Sequence, residues 1–211
     1  MSNSAHSIRP FSRPSLATVT AITMGVATFS QGAFGVLASD LIEEFDLDRW
    51  QIGILLTANG FTGALLSPFF GRLTDRMGSV KSVMITLLLA MATMTLIAVA
   101  PTYSVLFAGA MLSGLPNGWA NPATNALIVD NVVAGARGVI TGIKQSGVQM
   151  GSFLGGLLLP GISAMANWRV AFATFLVFPA AGLAGMWRRP EVIRSHFNGS
   201  GSKLPVPTAV R

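Results

Sequence analysis

Six apolar stretches of hydrocarbon length divide the 211-residue chain, at about 15–39, 51–70, 82–100, 105–129, 138–162 and 170–187. About 20 apolar residues in a helix cross a bilayer core of roughly 30 Å. Backbone in lipid must also satisfy its own hydrogen bonds, so each stretch predicts a helix. The expected fold is an all-α membrane protein with six transmembrane helices. Between the second and third stretches, 71–81 holds Arg72, Asp75, Arg76 and Lys81. A charge at the bilayer centre costs about 2.5–3.5 kcal/mol on insertion scales, so this segment predicts a tight turn at a membrane surface.

Composition narrows the function classes. Charged residues are 10% of the chain, against about 25% in average soluble domains, and mean hydropathy is +0.60. The net charge of +6 could suit nucleic acid, but such binders gather their cations on one face. Here Lys and Arg sit in short loops and tails, and no nucleic-acid partner is expected. There is no cysteine, and both histidines, His6 and His196, fall near the termini. Neither paired carboxylates nor nucleophile–base spacing occurs within the apolar stretches, so no catalytic residue, metal or cofactor is expected. The first stretch has an apolar run of about 23 residues (16–38), beyond the roughly 7–15 of a signal-peptide core. It reads as a retained span.

Cation sidedness gives an expected topology. Six spans place both termini on one side, together with Arg9, Arg13, Arg72, Arg76, Lys81, Arg137, Arg188, Arg189, Arg194, Lys203 and Arg211. Only Arg49 and Arg169 fall opposite, and Lys144 lies inside a span. Cytoplasmic loops carry the excess of Lys and Arg, so both tails and 71–81 are expected in the cytoplasm of a cell with the protein in its inner (plasma) membrane. The segment 40–49 holds Asp40, Glu43, Glu44, Asp46 and Asp48 and faces out. The expected division is a disordered tail at 1–14, a six-helix domain at 15–189 and a flexible tail or linker at 190–211.

Polar residues inside the spans are the functional candidates. Asn117, Asn121 and Asn125 recur every four residues in span four, along one helix stripe. They form either a cavity wall or interhelical hydrogen bonds, the latter about 0.6 kcal/mol per pair in membranes. Lys144 lies about six residues inside span five, roughly 9 Å of helix rise. Facing a cavity, it would attract an anionic substrate group, with Gln145 and Gln149 as hydrogen-bond partners. Otherwise it snorkels to the headgroups beside Asp130. Gln31 and Asn59 read as interhelical hydrogen-bonding residues or cavity ligands. Gly147, Gly151 and Gly155, followed by Gly156, make small-x-x-x-small steps that allow close helix approach.

The pattern Gly71-x-Leu73-x-Asp75-Arg76-x-Gly78-x-x-Lys81, between spans two and three, resembles the signature loop of the major facilitator superfamily. Gly147-Val-Gln-Met-Gly151-Ser152-Phe-Leu-Gly155-Gly156 resembles the fifth-helix motif of that family's antiporters, with Ser152 where the pattern has proline. The arginine that drug exporters carry four residues before the first glycine of the span-four G-x-x-x-G segment is replaced by Ala110. The resemblance covers about 15–190 and implies a half bundle of two three-helix repeats. It implies secondary active transport by alternating access, as symporter or antiporter, of a small polar or organic-anion solute. It also implies that Asp75 of the gating loop (Gly71, Arg72, Asp75, Arg76, Gly78, Lys81) contacts a helix of the other half. Family members have about twelve spans in two halves around a midplane site, so this chain matches the N-terminal half. Its expected partners are the lipid bilayer, a small-molecule substrate, and a second six-helix half or a second copy. The alternative is a non-transporting, truncated or regulatory six-span module that needs a partner half.

Overall fold

In a computed structural model of the chain, residues 13–187 are described, and they are helical with short breaks. The two terminal tails, and the reading of disorder or flexibility placed on them, lie outside the described residues apart from 13 and 14. The order is α1 (Arg13–Val36), α2 (Ala38–Phe45), α3 (Arg49–Met77), α4 (Ser79–Ala98), α5 (Tyr103–Asn131), a 3-10 turn (Ala134–Ala136), α6 (Arg137–Met165), α7 (Trp168–Thr174) and α8 (Val177–Trp187).

Among the described residues, five stretches are long and apolar enough to cross a membrane: α1 from Pro14, α3, α4, α6 with its preceding turn, and α7 with α8. The helix of span four, α5, falls short of that hydropathy. Its asparagines and prolines lower the average, and its packing makes this tolerable. α5 runs against α3, α4 and α1, so Ser113 and Thr124 are buried and Asn117 bonds across to Asn59.

The connections depart from the sequence reading in three places. Segment 71–81 is not a tight turn: α3 continues through it to Met77, and one residue, Gly78, separates α3 from α4. Arg72, Asp75 and Arg76 have helical spacing, and an amphiphilic last turn can project charge beyond the apolar face while keeping its backbone bonds. Gly78 adopts φ 88° and ψ 154°, a region essentially closed to residues with a Cβ.

Residues 40–45 of the acidic 40–49 segment belong to the amphiphilic helix α2, which is capped by Asp46 in the left-handed conformation. Asp48 then starts α3, its backbone N–H donating to Gln51 Oε1 (2.7 Å) while Trp50 Nε1 donates to Asp48 Oδ2 (3.0 Å). Trp50 is 62% exposed, as suits an interfacial aromatic residue.

Span six is two helices. Pro179 has no N–H to donate to the Phe175 carbonyl, and its ring would crowd that oxygen. The chain crosses the break with shorter bonds instead, Leu176 N–H to Ala173 (3.0 Å) and Phe178 N–H to Phe175 (3.1 Å).

Two close crossings organise the bundle, α1 with α6 and α3 with α5. At the first, a Cβ added to Gly147 would land on the Ala21 carbonyl, and one on Gly25 would sit 2.5 Å from the Gly147 oxygen. At the second, a Cβ on Gly114 would sit 2.5 Å from the Asn59 oxygen, and one on Gly118 would strike the Gly63 carbonyl. Gly155 makes ordinary contact with Phe29, whereas Gly156 faces open space and takes no part.

Polar ties hold opposite ends of these pairs. At the end bearing α2, Ser163 Oγ donates to Asp40 Oδ2 (2.9 Å), and Glu44 accepts from Trp168 Nε1 and Arg169 Nη1. Arg169 Nη2 also donates to the Ala100 carbonyl (2.7 Å). At the end bearing the signature segment, Trp119 Nε1 donates to Thr74 Oγ1 (2.9 Å), Phe70 stacks on Trp119 (centroids 4.7 Å, 7°), and Ser79 Oγ donates to Asp130 Oδ2 (2.6 Å).

Candidate functional site

Two polar constellations lie on α5, about one turn apart. The first centres on Asn59, which is fully buried. Ser113 Oγ donates to the Ala110 carbonyl (2.8 Å), so it accepts from Asn59 Nδ2 (2.6 Å). Asn59 Oδ1 in turn accepts from Asn117 Nδ2 (2.9 Å). The carbonyl at one end can only accept, so the donor direction is set along the whole series. Asn117 is left with its Oδ1 as an acceptor.

The second constellation centres on Lys144, seven residues inside α6 and 2% exposed. Its Nζ donates to Asn121 Oδ1 (3.0 Å) and Asn125 Oδ1 (2.8 Å). An ammonium only donates, so both amides present oxygen inward and keep Nδ2 available outward. Asn121 and Asn125 are exposed on the surface of this bundle.

These contacts correct the expected surroundings of Lys144. Gln145 and Gln149 are exposed and are not among the partners of Lys144, because the positions one and five residues further along the helix point away from it. Asp130 is taken by Ser79, and Lys144 does not snorkel to it. The partners come from another helix, 23 and 19 residues earlier in the chain. A lone lysine in an apolar span, paired with asparagines at i and i+4 of its neighbour, is the signal that could have found them.

Asparagines 117, 121 and 125 therefore bond between helices, and two of them also line a cleft. A cleft of ≈ 260 Å³ opens between α3 and α5, with Ala64, Ser67, Asn117, Gly118 and Asn121 in its wall. An apolar groove of ≈ 280 Å³ lies beside the α1–α6 crossing, lined by Gly25, Phe29, Gly147, Met150, Phe175 and Phe178 among others. Gln31 is exposed, its Nε2 lying over Gly60 where a Cβ would sit 3.7 Å away.

In the signature segment, Arg72, Asp75 and Arg76 are exposed, and Gly71 and Lys81 are half-buried. Among the described residues no group of three His, Asp or Glu side chains could hold a metal.

The Major Facilitator Superfamily sequence model matches residues 20–210. The chain is 28% identical over 153 residues to a gentisate transporter of Corynebacterium glutamicum, covering 71% of this chain and 34% of the relative. It is 27% identical over 151 residues to D-xylose-proton symporter-like 2 of Arabidopsis thaliana, covering 71% and 30%. Quinolone resistance protein NorA of Staphylococcus aureus is 27% identical over 121 residues, 56% of this chain and 31% of NorA. The chain thus spans about a third of the length of these relatives.

Among solved structures, the peptide transporter POT in complex with sulfate aligns with TM-score 0.73 at 21% identity, covering 96% of this chain and 41% of that one. A bacterial homolog of the human lysosomal transporter Spinster, inward-facing and unoccupied, aligns with TM-score 0.71 at 16% identity, covering 94% and 45%. At these identities the likeness is one of fold. Matched along nearly its whole length, with apolar helices arranged as in these transporters, the chain belongs to the major facilitator superfamily of membrane transporters.

Proposed function

We propose that the chain is the N-terminal six-helix half of an alternating-access transporter for a small organic anion, with Lys144 as the counter-charge of the site. One observation carries this reading. Lys144 is buried and its hydrogen-bond partners are two neutral amides. A buried charge is ordinarily paired with an opposite one, so this ammonium is a standing source of positive potential. Asn121 and Asn125 pass it outward, since their Nδ2 groups are donors polarised by the cation behind them. An arriving carboxylate meets amide N–H groups first and the ammonium's field behind them. The gentisate transporter supports an organic-anion cargo by analogy; the other relatives name a sugar and a quinolone.

The share of each relative that is covered supports a requirement for a second half, with the transport site between the two. Asp75, exposed on the last turn of α3, would then contact that half. Proton or sodium coupling would reside there too. Six spans count α5 as a crossing helix sheltered by its neighbours, and the cation distribution puts both termini in the cytoplasm of an inner-membrane protein.

Binding of benzoate to the reconstituted chain, measured by equilibrium dialysis against empty nanodiscs, tests the anion site. Lys144→Gln is expected to weaken it by about tenfold to a hundredfold, the range of a charge-assisted bond, and Lys144→Arg to retain most of it. Equal binding by wild type and Lys144→Gln would defeat the proposal. Topology is checked with single cysteines in this cysteine-free chain. An impermeant maleimide should label Asp46→Cys in intact cells and spare Gly135→Cys, and the reverse pattern would invert the orientation.

A further inference from the structure

Proline interrupts the interior of the described helices at Pro68, Pro116, Pro122 and Pro160. Each lacks the N–H that would bond to the carbonyl four residues earlier, which leaves those of Ala64, Leu112, Gly118 and Gly156 without their helical partners. Two of these, Ala64 on α3 and Gly118 on α5, fall in the wall of one cleft, the ≈ 260 Å³ space between the two helices. Asn117 and Ser67 share that wall. The series from Ala110 through Ser113 and Asn59 turns the Asn117 amide so that its oxygen remains as an acceptor. The residues that own these three acceptors thus share a space with no charged side chain in its wall.

One residue of the wall has the opposite character. Asn121 also lines the cleft, and because Lys144 occupies its oxygen, it offers N–H. Within about one turn of α5 the cleft wall thus combines an amide N–H backed by positive charge with neutral acceptors. Such a wall matches a molecule that carries both an anionic group and hydroxyl donors. A metal cation would also find oxygens here, but Lys144 behind Asn121 disfavours a second positive charge nearby.

We infer that this cleft selects hydroxylated organic anions, seating the carboxylate at Asn121 and the hydroxyls on Asn117 Oδ1 and the carbonyls freed by Pro68 and Pro122. This rests on the anion reading of Lys144 and adds to it the class of substrate. An analogue without hydroxyls would leave those acceptors unpaired on desolvation, which is how a polar site rejects an apolar isostere.

The test compares gluconate with hexanoate, two six-carbon monocarboxylates that differ in hydroxyls, by equilibrium dialysis of the chain in nanodiscs with empty discs as control. Gluconate is expected to bind about tenfold tighter, of the order of one or two added hydrogen bonds. Pro122→Ala and Pro68→Ala restore the N–H that re-engages Gly118 and Ala64. Because alanine is the best helix former, both variants should fold, which a melting curve would confirm. Each is expected to weaken gluconate several-fold and leave hexanoate unchanged. Equal binding of the two anions, with no change in either variant, would overturn the cleft inference while leaving the Lys144 site intact. Loss of both anions in Lys144→Gln, with the gluconate preference present in wild type, supports both readings. Sodium that competes with gluconate would overturn the inference in favour of a cation site.

Discussion

The two close crossings use the same device for different ends. Where α1 meets α6, Gly25 and Gly147 bring backbone onto backbone, and the space beside them is an apolar groove. Where α3 meets α5, Gly63, Gly114 and Gly118 do the same, yet the adjoining side chains are Asn59, Ser113 and Asn117, and the space is a polar cleft. Close approach in lipid needs small residues whatever the chemistry beside them. Function is therefore added to one crossing by its neighbours, while the glycines themselves carry geometry in both.

The largest expected effect tests that shared geometry. Gly147→Val and Gly118→Val each drive a side chain into a carbonyl on the facing helix. Since backbone cannot yield as a flexible side chain does, each should cost at least the roughly 1–3 kcal/mol of overpacking. Thermal unfolding in detergent, followed by loss of the monodisperse peak, would measure it. If one variant melts like wild type, that crossing is looser than its glycines imply.

A smaller effect separates the crossings. Asn59→Leu removes both bonds of the buried amide and leaves Ser113 and Asn117 without their partner, at an expected cost of about 1–2 kcal/mol. At the apolar crossing, Met150→Leu conserves volume and should stay within about 1 kcal/mol. Equal melting shifts for the two would show that the amide series adds no stability.

The smallest effect concerns the tie at the α2 end. Burial raises the Glu44 carboxyl, but the hydrogen bonds from Arg169 and Trp168 and the charge of Arg169 outweigh it and hold the group below its ordinary value of 4.5. A depressed folded value means the tie stabilises above about pH 4.5 and fades as pH falls through the lower folded value. The pair is part-exposed, which limits its worth to under about 1 kcal/mol. A melting series from pH 7 to pH 3 should show Glu44→Gln converging on wild type at the acid end. Parallel curves would assign the tie no role in stability.

How far the sequence could be read differs between these regions. Apolar length revealed five spans outright, because hydrophobic burial in lipid is a property of each segment alone. α5 was legible as unusual from Pro116, Pro122 and its asparagines, but not as a helix sheltered by α3 and α4. Gly78 was legible as part of a motif, whereas continuation of α3 to Met77 was not, since charged residues at a membrane surface fit a turn and a helical last turn equally well. The break at Phe175 follows from Pro179, but a uniformly apolar run gives no other sign of it. Lys144 stood out by charge, yet its nearest polar neighbours in sequence proved to lie on other faces of α6.

What the sequence determined by itself is a helical membrane chain and its superfamily, because hydropathy and a local motif are read along one dimension. The tertiary structure alone decided which amides face Lys144, which carbonyls the prolines leave in a common cleft, and which glycines carry a crossing. Those are distances between segments, set by how helices cross, and residues 19 to 58 positions apart acquire a shared chemistry only there.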